Sequence, residues 1–401
     1  MLPGEGVLPP ETLSALKGCS VNEVFTFAGD IADKTHRAIF GNRLRRLQDE
    51  LLDSLLGSRW KSGNTDGGIV CPKCNGRSHV RKGFRIREVI TSKGIFLFST
   101  AQVQCRSCGR VHRPLAGLLG LEPRRRVLRE LEEKAVSLAL RLPYAPSAEV
   151  LRELTGGGIS HEGIRKAVAR VASKETLEPP CDAVHVMVDS TKVKAGGKSR
   201  GEDVQVGLVV ERGPVVNGRP TLTKKLLSLS VGDSAPLKEA LLKARPVNLV
   251  HDGELDLSGC AQNVQRCLWH MGHQIKYYLW QDEVPHEQRC AISKSLRSIL
   301  FDKGLAGNVA VAAYDKLVVD LKAAGLCKSA KHLSNARDEV FTYKNADSLT
   351  FATTSPIERE MREINRRADV GARWSVKGIE NVLKLKMKRR FNQLSKNTHP
   401  G

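Results

Sequence analysis

Apolar residues recur at helical spacing between Ala28 and Trp60, where Ile31, Ile39, Phe40, Leu44, Leu47, Leu51, Leu52 and Leu55 alternate with charged positions. That period predicts an amphipathic helix whose role is packing or dimerisation. From Gly67-Gly68 the period shortens to two. Ser78 to Ile86 and Gly94 to Gln104 read as strands joined by a turn at Ser92-Lys93-Gly94. Helical spacing returns behind Arg124-Arg125-Arg126. One helix is expected from Val127 to Leu142, stopped by Pro143 and Pro146, and a short one over Ala148–Leu154 is capped by Ser147. After the turn Gly156-Gly157-Gly158, a third runs from His161 to Ala172 under a Ser160 cap. From Ala183 the order becomes strand (184–188), strand (203–210), strand (226–231), helix (236–244), strand (247–250). Residues 284–346 read as mainly helical, most clearly Val309–Ala323, and a last helical element starts at Ser355. This α/β pattern divides into a helical region 1–65, a ribbon 66–118, a three-helix unit 122–178 and a larger domain 183–396.

Cysteine spacing adds a metal site. Of ten cysteines, four fall as Cys71-x2-Cys74 and Cys105-x2-Cys108, flanking the two expected strands. Each CxxC turn presents two thiolates, and two such turns close a tetrahedral shell of the kind zinc takes in structural sites. The pattern belongs to a metal site in a reducing compartment rather than to a disulfide framework.

Charge adds a partner. Lys and Arg outnumber Asp and Glu 64 to 43, a formal net charge of +21, and a polyanion such as nucleic acid is the expected partner. The three helices around the glycine turn fit a helix-turn-helix, with Arg165, Lys166 and Arg170 on the outer face of the third. No apolar run reaches the ~18 residues of a membrane helix, and Met1–Pro10 shows no secretory pattern, so a cytoplasmic, nucleoid-associated protein is expected.

Two aspartates stand where buried strands end: Asp189 after Val184–Val188, and Asp252 after Val247–Val250. Carboxylates at the carboxyl edge of a sheet can share Mg2+ or Mn2+ ions for phosphodiester chemistry. The third acid is expected at Glu358, in Thr353-Thr354-Ser355-Pro356-Ile357-Glu358. There Ser355 would cap a helix and Glu358, its third residue, could equally complete a capping box. Glu360 and Glu363 are neighbouring alternatives to Glu358, and Glu254 and Asp256 are rivals to Asp252. A basic run follows, with twelve Lys or Arg against four acids from Arg359 to Lys396. Such a face gives DNA affinity through phosphates. Within it, Arg359, Arg362, Arg366 and Arg367 are the candidate contacts, and Trp374 is a candidate for base stacking.

The segment Gln265-Arg266-Cys267-Leu268-Trp269-His270 resembles the Cys-x2-His signature of Mutator-type insertion-sequence transposases. The Thr-Thr-x-x-Ile-Glu segment resembles theirs too. The resemblance covers residues from about 185 to 390. It implies a ribonuclease-H-like core with an Asp-Asp-Glu triad of Asp189, Asp252 and Glu358, and a helical insertion at about 270–346. It also implies double-stranded transposon ends and target DNA as partners, joined in a synaptic homo-oligomer, with Cys267 and His270 shaping the site from the side of the insertion. Departures are Ser190 after the first aspartate, where relatives often have glycine, and Ser-Pro at 355–356. A DNA-binding regulator derived from such an enzyme, or a nuclease without strand transfer, are the competing functional classes.

Overall fold

The computed structural model describes residues 21–56, 64–65, 69–114, 116, 125–177, 183–216, 218–302, 304–370 and 373–397. Gly67-Gly68, the helix end at Trp60 and Arg124 lie outside the described residues. Two compact units divide the chain: 1–138 with 144–164, and 139–143 with 165–401.

In the first unit, α1 (Val21–Leu56) precedes a four-stranded antiparallel sheet, β1 (Asn64–Thr65), β2 (His79–Thr91), β3 (Gly94–Cys105) and β4 (Val111–His112), in that order. The two long strands pair from His79↔Cys105 to Thr91↔Gly94 across a two-residue turn, Ser92-Lys93, with Gly94 of the expected Ser92-Lys93-Gly94 turn already in β3. Phe40 of α1 meets Phe96 of β3 edge to face at 4.6 Å, so the N-terminal helix packs on the ribbon. Helices α2 (Arg129–Ala139), α3 (Tyr144–Leu154) and α4 (His161–Lys174) follow. Ser160 caps α4 as expected, its Oγ accepting from Gly163 N–H at 3.2 Å. Ser147 does not cap α3, which starts three residues earlier. Pro146 is tolerated there because first-turn N–H groups lack helical partners anyway. The glycine turn serves the ribbon: Gly156 N–H donates to Ser92 O at 2.8 Å, and a Cβ on Gly157 would stand 2.0 Å from Thr91 O. The division between units falls at Ala139 and again inside α4 at Arg165, so the three helices do not form a unit of their own.

The second unit is built on a five-stranded sheet in the order β7-β6-β5-β8-β9, from β5 (His185–Val193), β6 (Glu202–Val216), β7 (Arg219–Val231), β8 (Asn248–His251) and β9 (Asn263–Arg266). β5, β6 and β7 form an antiparallel meander, and β8 and β9 add in parallel. Helix α5 (Ala235–Ala244) crosses from β7 to β8 and buries Leu237 and Leu241 against Val186, Val188, Val209 and Leu249. Then come α6 (Leu268–Gln281), α7 (His286–Phe301), α8 (Gly307–Ala323), α9 (Cys327–Val340) and the single turn α10 (Thr342–Asn345). Helices α6 to α9 enclose a separate core of Met271, Ile275, Leu279, Leu296, Tyr314 and Leu333. The chain returns through α11 (Ser355–Ala368), packed along β5, and α12 (Val376–Asn397), packed along β7. No described helix is long and apolar enough to cross a membrane.

Candidate active site

Strand register places the two aspartates. β5 and β8 pair in parallel from His185↔Asn248 to Val188↔His251, and Asp189 and Asp252 are the next residue on each. Neighbouring strands run ~4.8 Å apart, so the two carboxylates leave the sheet side by side. Asp189 does not end its strand, as the apolar run suggested: β5 continues to Val193, paired with β6 alone. By the two-residue alternation of a strand, Asp189 points away from Val186 and Val188, hence away from α5 and toward the face that α11 covers.

Both aspartates are buried, Asp189 at 5% exposure and Asp252 at 4%. Burial, then the Asp252 carboxylate beside it, then Glu358 push the Asp189 carboxyl up to about 8, although Ser190 N–H donates to its Oδ1 at 3.0 Å. Ser190 Oγ bridges Asp252 Oδ2 at 3.0 Å and Glu254 Oε2 at 2.5 Å, so Glu254 joins the rim. Asp256 is spent on its own turn, accepting from Ser258 N–H and Oγ–H.

Glu358 comes to the aspartates on α11, where its Oε1 is buried without a hydrogen-bond partner. The capping-box geometry is absent. Thr354 is the cap residue and Ser355 the first helical one, which makes Glu358 the fourth rather than the third. Neither neighbour is available. Glu360 is buried between Lys224 at 2.9 Å and Arg390 at 2.5 Å, and Glu363 pairs with Arg366 and Lys386. Glu358→Gln should therefore leave the melting temperature within a few degrees of wild type. Glu360→Gln should cost up to about 3–5 kcal/mol, because the half-buried Lys224 and Arg390 lose the buried carboxylate that they share. Thermal melts of the two variants side by side check this ordering.

What holds α11 in place could not be read from its own sequence. Thr354, fully buried, has its N–H and hydroxyl 3.3 Å from Cys267 Sγ, and the hydroxyl 3.3 Å from His270 Nδ1. The Cys267-x2-His270 pair thus grips the start of the helix that carries Glu358. Burial raises the Cys267 thiol and keeps the His270 imidazole below its ordinary range, against the pull of Asp252, Glu358 and Glu254. The strap before Thr354 is tied down as well: Asn248 Nδ2 donates to Ser348 O at 3.0 Å and Leu268 N–H to Ala352 O at 3.1 Å. Further along α11, Thr191 Oγ1 donates to Asn365 Oδ1 at 3.0 Å, pinning the helix to β5. Thr354, Ser190 and Asn365 are the positions contacting the candidate site or its helix that spacing alone did not mark.

In the ribbon, the four sulfurs of Cys71, Cys74, Cys105 and Cys108 lie within 4.8 Å of one another and could hold a metal ion. Among the described residues this is the one group of three or more His, Cys, Asp or Glu ligand atoms so tightly gathered. Its two knuckles match: Asn75 N–H donates to Cys71 O and Gly109 N–H to Cys105 O, both at 2.9 Å, and both residues have positive φ. Burial resists ionisation of Cys105, but the N–H groups of Cys108 and Ser107 and the Cys74 sulfur outweigh it and bring the thiol down to about 6.

The basic candidates separate. Arg359 and Arg362 are exposed, as are Arg165 and Lys166, while Arg170 is half-buried. Arg366 is exposed but paired with Glu363. Arg367 is a correction: it is 1% exposed, stacks over Trp374 at 4.5 Å and donates to the carbonyls of Ala139 and Leu142, so it meets no phosphate. Trp374 is equally internal, its Nε1 donating to Ala368 O at 3.1 Å, and it is no stacking surface. Basic α12 is an amphipathic packing helix: Ile379, Val382 and Leu383 are buried, and Lys386, Lys388 and Arg390 bind Glu363, Glu175 and Glu360. Comparison with protein-family models and with curated proteins finds no match to this chain.

Proposed function

We propose that the chain is a DNA transposase that cleaves transposon ends and joins their 3′-hydroxyls to target DNA. The observation that carries this reading is the convergence of Asp189, Asp252 and Glu358, with one buried Glu358 oxygen left without a partner. Asp189 and Asp252, buried side by side, repel each other and feel the charge of Glu358, and divalent cations are the partners that would relieve them. Asp189, Asp252 and Glu358 fit Mg2+ or Mn2+, hard ions that take oxygen ligands. When bound, such ions supply an activated water or 3′-hydroxyl and stabilise the leaving oxygen. The chain's own residues orient the acids: Ser190 steadies Asp252, and Thr354 with Cys267 and His270 sets the start of α11.

The strand order of the larger sheet, three antiparallel strands extended by two parallel ones, supports the ribonuclease-H-like core implied by the resemblance. Helices α6 to α10 take the part of the insertion between the second aspartate and the glutamate. In the ribbon the ion is zinc. Sulfur pairs at 3.5 and 3.6 Å approach the ~3.8 Å edge of a tetrahedron with ~2.3 Å zinc–sulfur bonds. The partners are the double-stranded transposon ends and target, held by at least two protomers, with Arg359 and Arg362 as exposed cations beside Glu358.

The test is a strand-transfer assay with paired terminal inverted repeats and Mg2+ or Mn2+. Joined products are expected. Hydrolysis without joining would make the protein a nuclease, and binding without cutting a regulator. Thr354→Val, which removes the hydroxyl between Cys267 and His270, should slow cleavage about tenfold with DNA affinity unchanged, as expected for ~1–1.5 kcal/mol of lost positioning. An unchanged rate would remove that grip from the mechanism.

A further inference from the structure

Helix α6 leaves the acidic site with an aromatic edge. Trp269, His273, Tyr277 and Trp280 fall at i, i+4, i+8 and i+11, which sets them along one side of the helix. The three large rings are 40%, 55% and 58% exposed, while Met271, Ile275 and Leu279 on the other side are fully buried. Trp269 meets His270 edge to face at 5.0 Å and stacks on His273 at 5.1 Å. Tyr277 tilts against Trp280 at 5.8 Å. The row therefore begins beside His270, whose ring feels the charges of Asp252 and Glu358, and extends ~16 Å along the helix axis. Cations accompany it. Lys276 is exposed on the same helix. Arg297 of α7 lies across Gly272, where a Cβ would come within 2.8 Å of its Nε. No acidic residue occurs in α6.

We infer that this edge is a stacking platform for unpaired bases of the DNA strand held at the acids. The inference rests on the transposase reading for the identity of that strand. Aromatic faces accept any base, and adjacent cations take the phosphates, which is the combination that binds single strands without sequence choice. The acid-free helix complements a polyanion. Buried packing does not account for two exposed tryptophans and a tyrosine in one row.

The experiment titrates the full chain with an oligothymidylate of about 20 nucleotides and, separately, with a blunt duplex, reading tryptophan fluorescence and anisotropy. Wild type should bind the oligothymidylate with quenching. Tyr277→Ala with Trp280→Ala should weaken that binding about 10- to 100-fold and leave duplex affinity unchanged, at ~1–3 kcal/mol per stacked base. Tyr277→Phe, which keeps a ring, should bind as wild type. Equal loss on both probes, or no loss on the single strand, overturns the platform and leaves the edge as a protein contact. Ring-dependent binding without any cutting or joining by wild type keeps the platform and removes the transposase. Joining by wild type with single-strand affinity indifferent to the rings does the reverse.

Discussion

Asp189→Asn should abolish strand cleavage, by on the order of 10³-fold or more, while the protein still binds DNA and melts no lower than wild type. The combination is diagnostic because the same carboxyl has opposite effects on chemistry and on stability. It is buried beside Asp252 and within reach of Glu358, which raises it from 3.8 to about 8. Between those values the folded state holds a proton that the unfolded state has released. Unfolding free energy therefore falls as pH rises from about 4 to about 8 and stays low above that window. Asparagine has no such proton to lose. In a chelating buffer the variant should melt above wild type at pH 8, and the gap should close near pH 4. One pKa unit is worth ~1.4 kcal/mol, and because Asp189 titrates together with Asp252 the gap should reach on the order of 1–3 kcal/mol. Adding Mn2+ or Mg2+ should raise the wild-type melting temperature and leave the variant nearly unmoved. Melting curves across pH, with and without cation, and a cleavage assay on end-containing DNA make the comparison. A variant that cuts at the wild-type rate would remove Asp189 from the site.

The site was legible in the sequence where local pattern and tertiary role coincide. Asp189 and Asp252 follow apolar runs because both parallel strands are buried, and a strand buried on two faces announces itself. The paired CxxC turns were legible for a similar reason, since ligand spacing is local. The rest depended on contacts between distant residues. Ser355 looked like a helix cap, but Cys267, eighty-seven positions away, engages Thr354 and makes that residue the cap instead. β9 went unseen because Asn263–Arg266 is short, polar and at the edge of the sheet. β5 ran past Asp189 because β6 continues to pair where β8 stops, a fact of register invisible in one strand. Arg367 read as one more cation in a basic run, yet its guanidinium finds carbonyl partners and the face of Trp374. Composition counts charges, whereas burial of a charge is decided by what packs against it.

Replacing Cys105 by serine should release zinc and open one end of the ribbon only. The hairpin is clamped at both ends by different means. At the turn, Thr91 and Ser92 are held by the α3–α4 turn through Gly156 and Gly157. At the open end, where His79 pairs with Cys105, the four thiols gather. Between them the strands hold little apolar burial: Val89, Phe96, Ala101 and Val103 are covered, while Phe84, Ile86, Ile95 and Leu97 are exposed. A structural zinc ion contributes on the order of 10 kcal/mol to folding at neutral pH. That is comparable with the ~5–15 kcal/mol net stability of a typical domain, so its loss should loosen this end even though β1 and β4 pair there. Wild type should carry one zinc ion for the four thiols, detectable by mass spectrometry or by a chromogenic chelator after thiol modification. In Cys105→Ser, amides near His79 and Val103 should exchange with solvent rapidly, while those near Thr91 and Gly94 stay protected. The remaining thiols should react freely with a disulfide reagent, because the fully formed set is what shields them. Full protection at His79 in a zinc-free protein would show that pairing of β2 with β3 suffices without the ion.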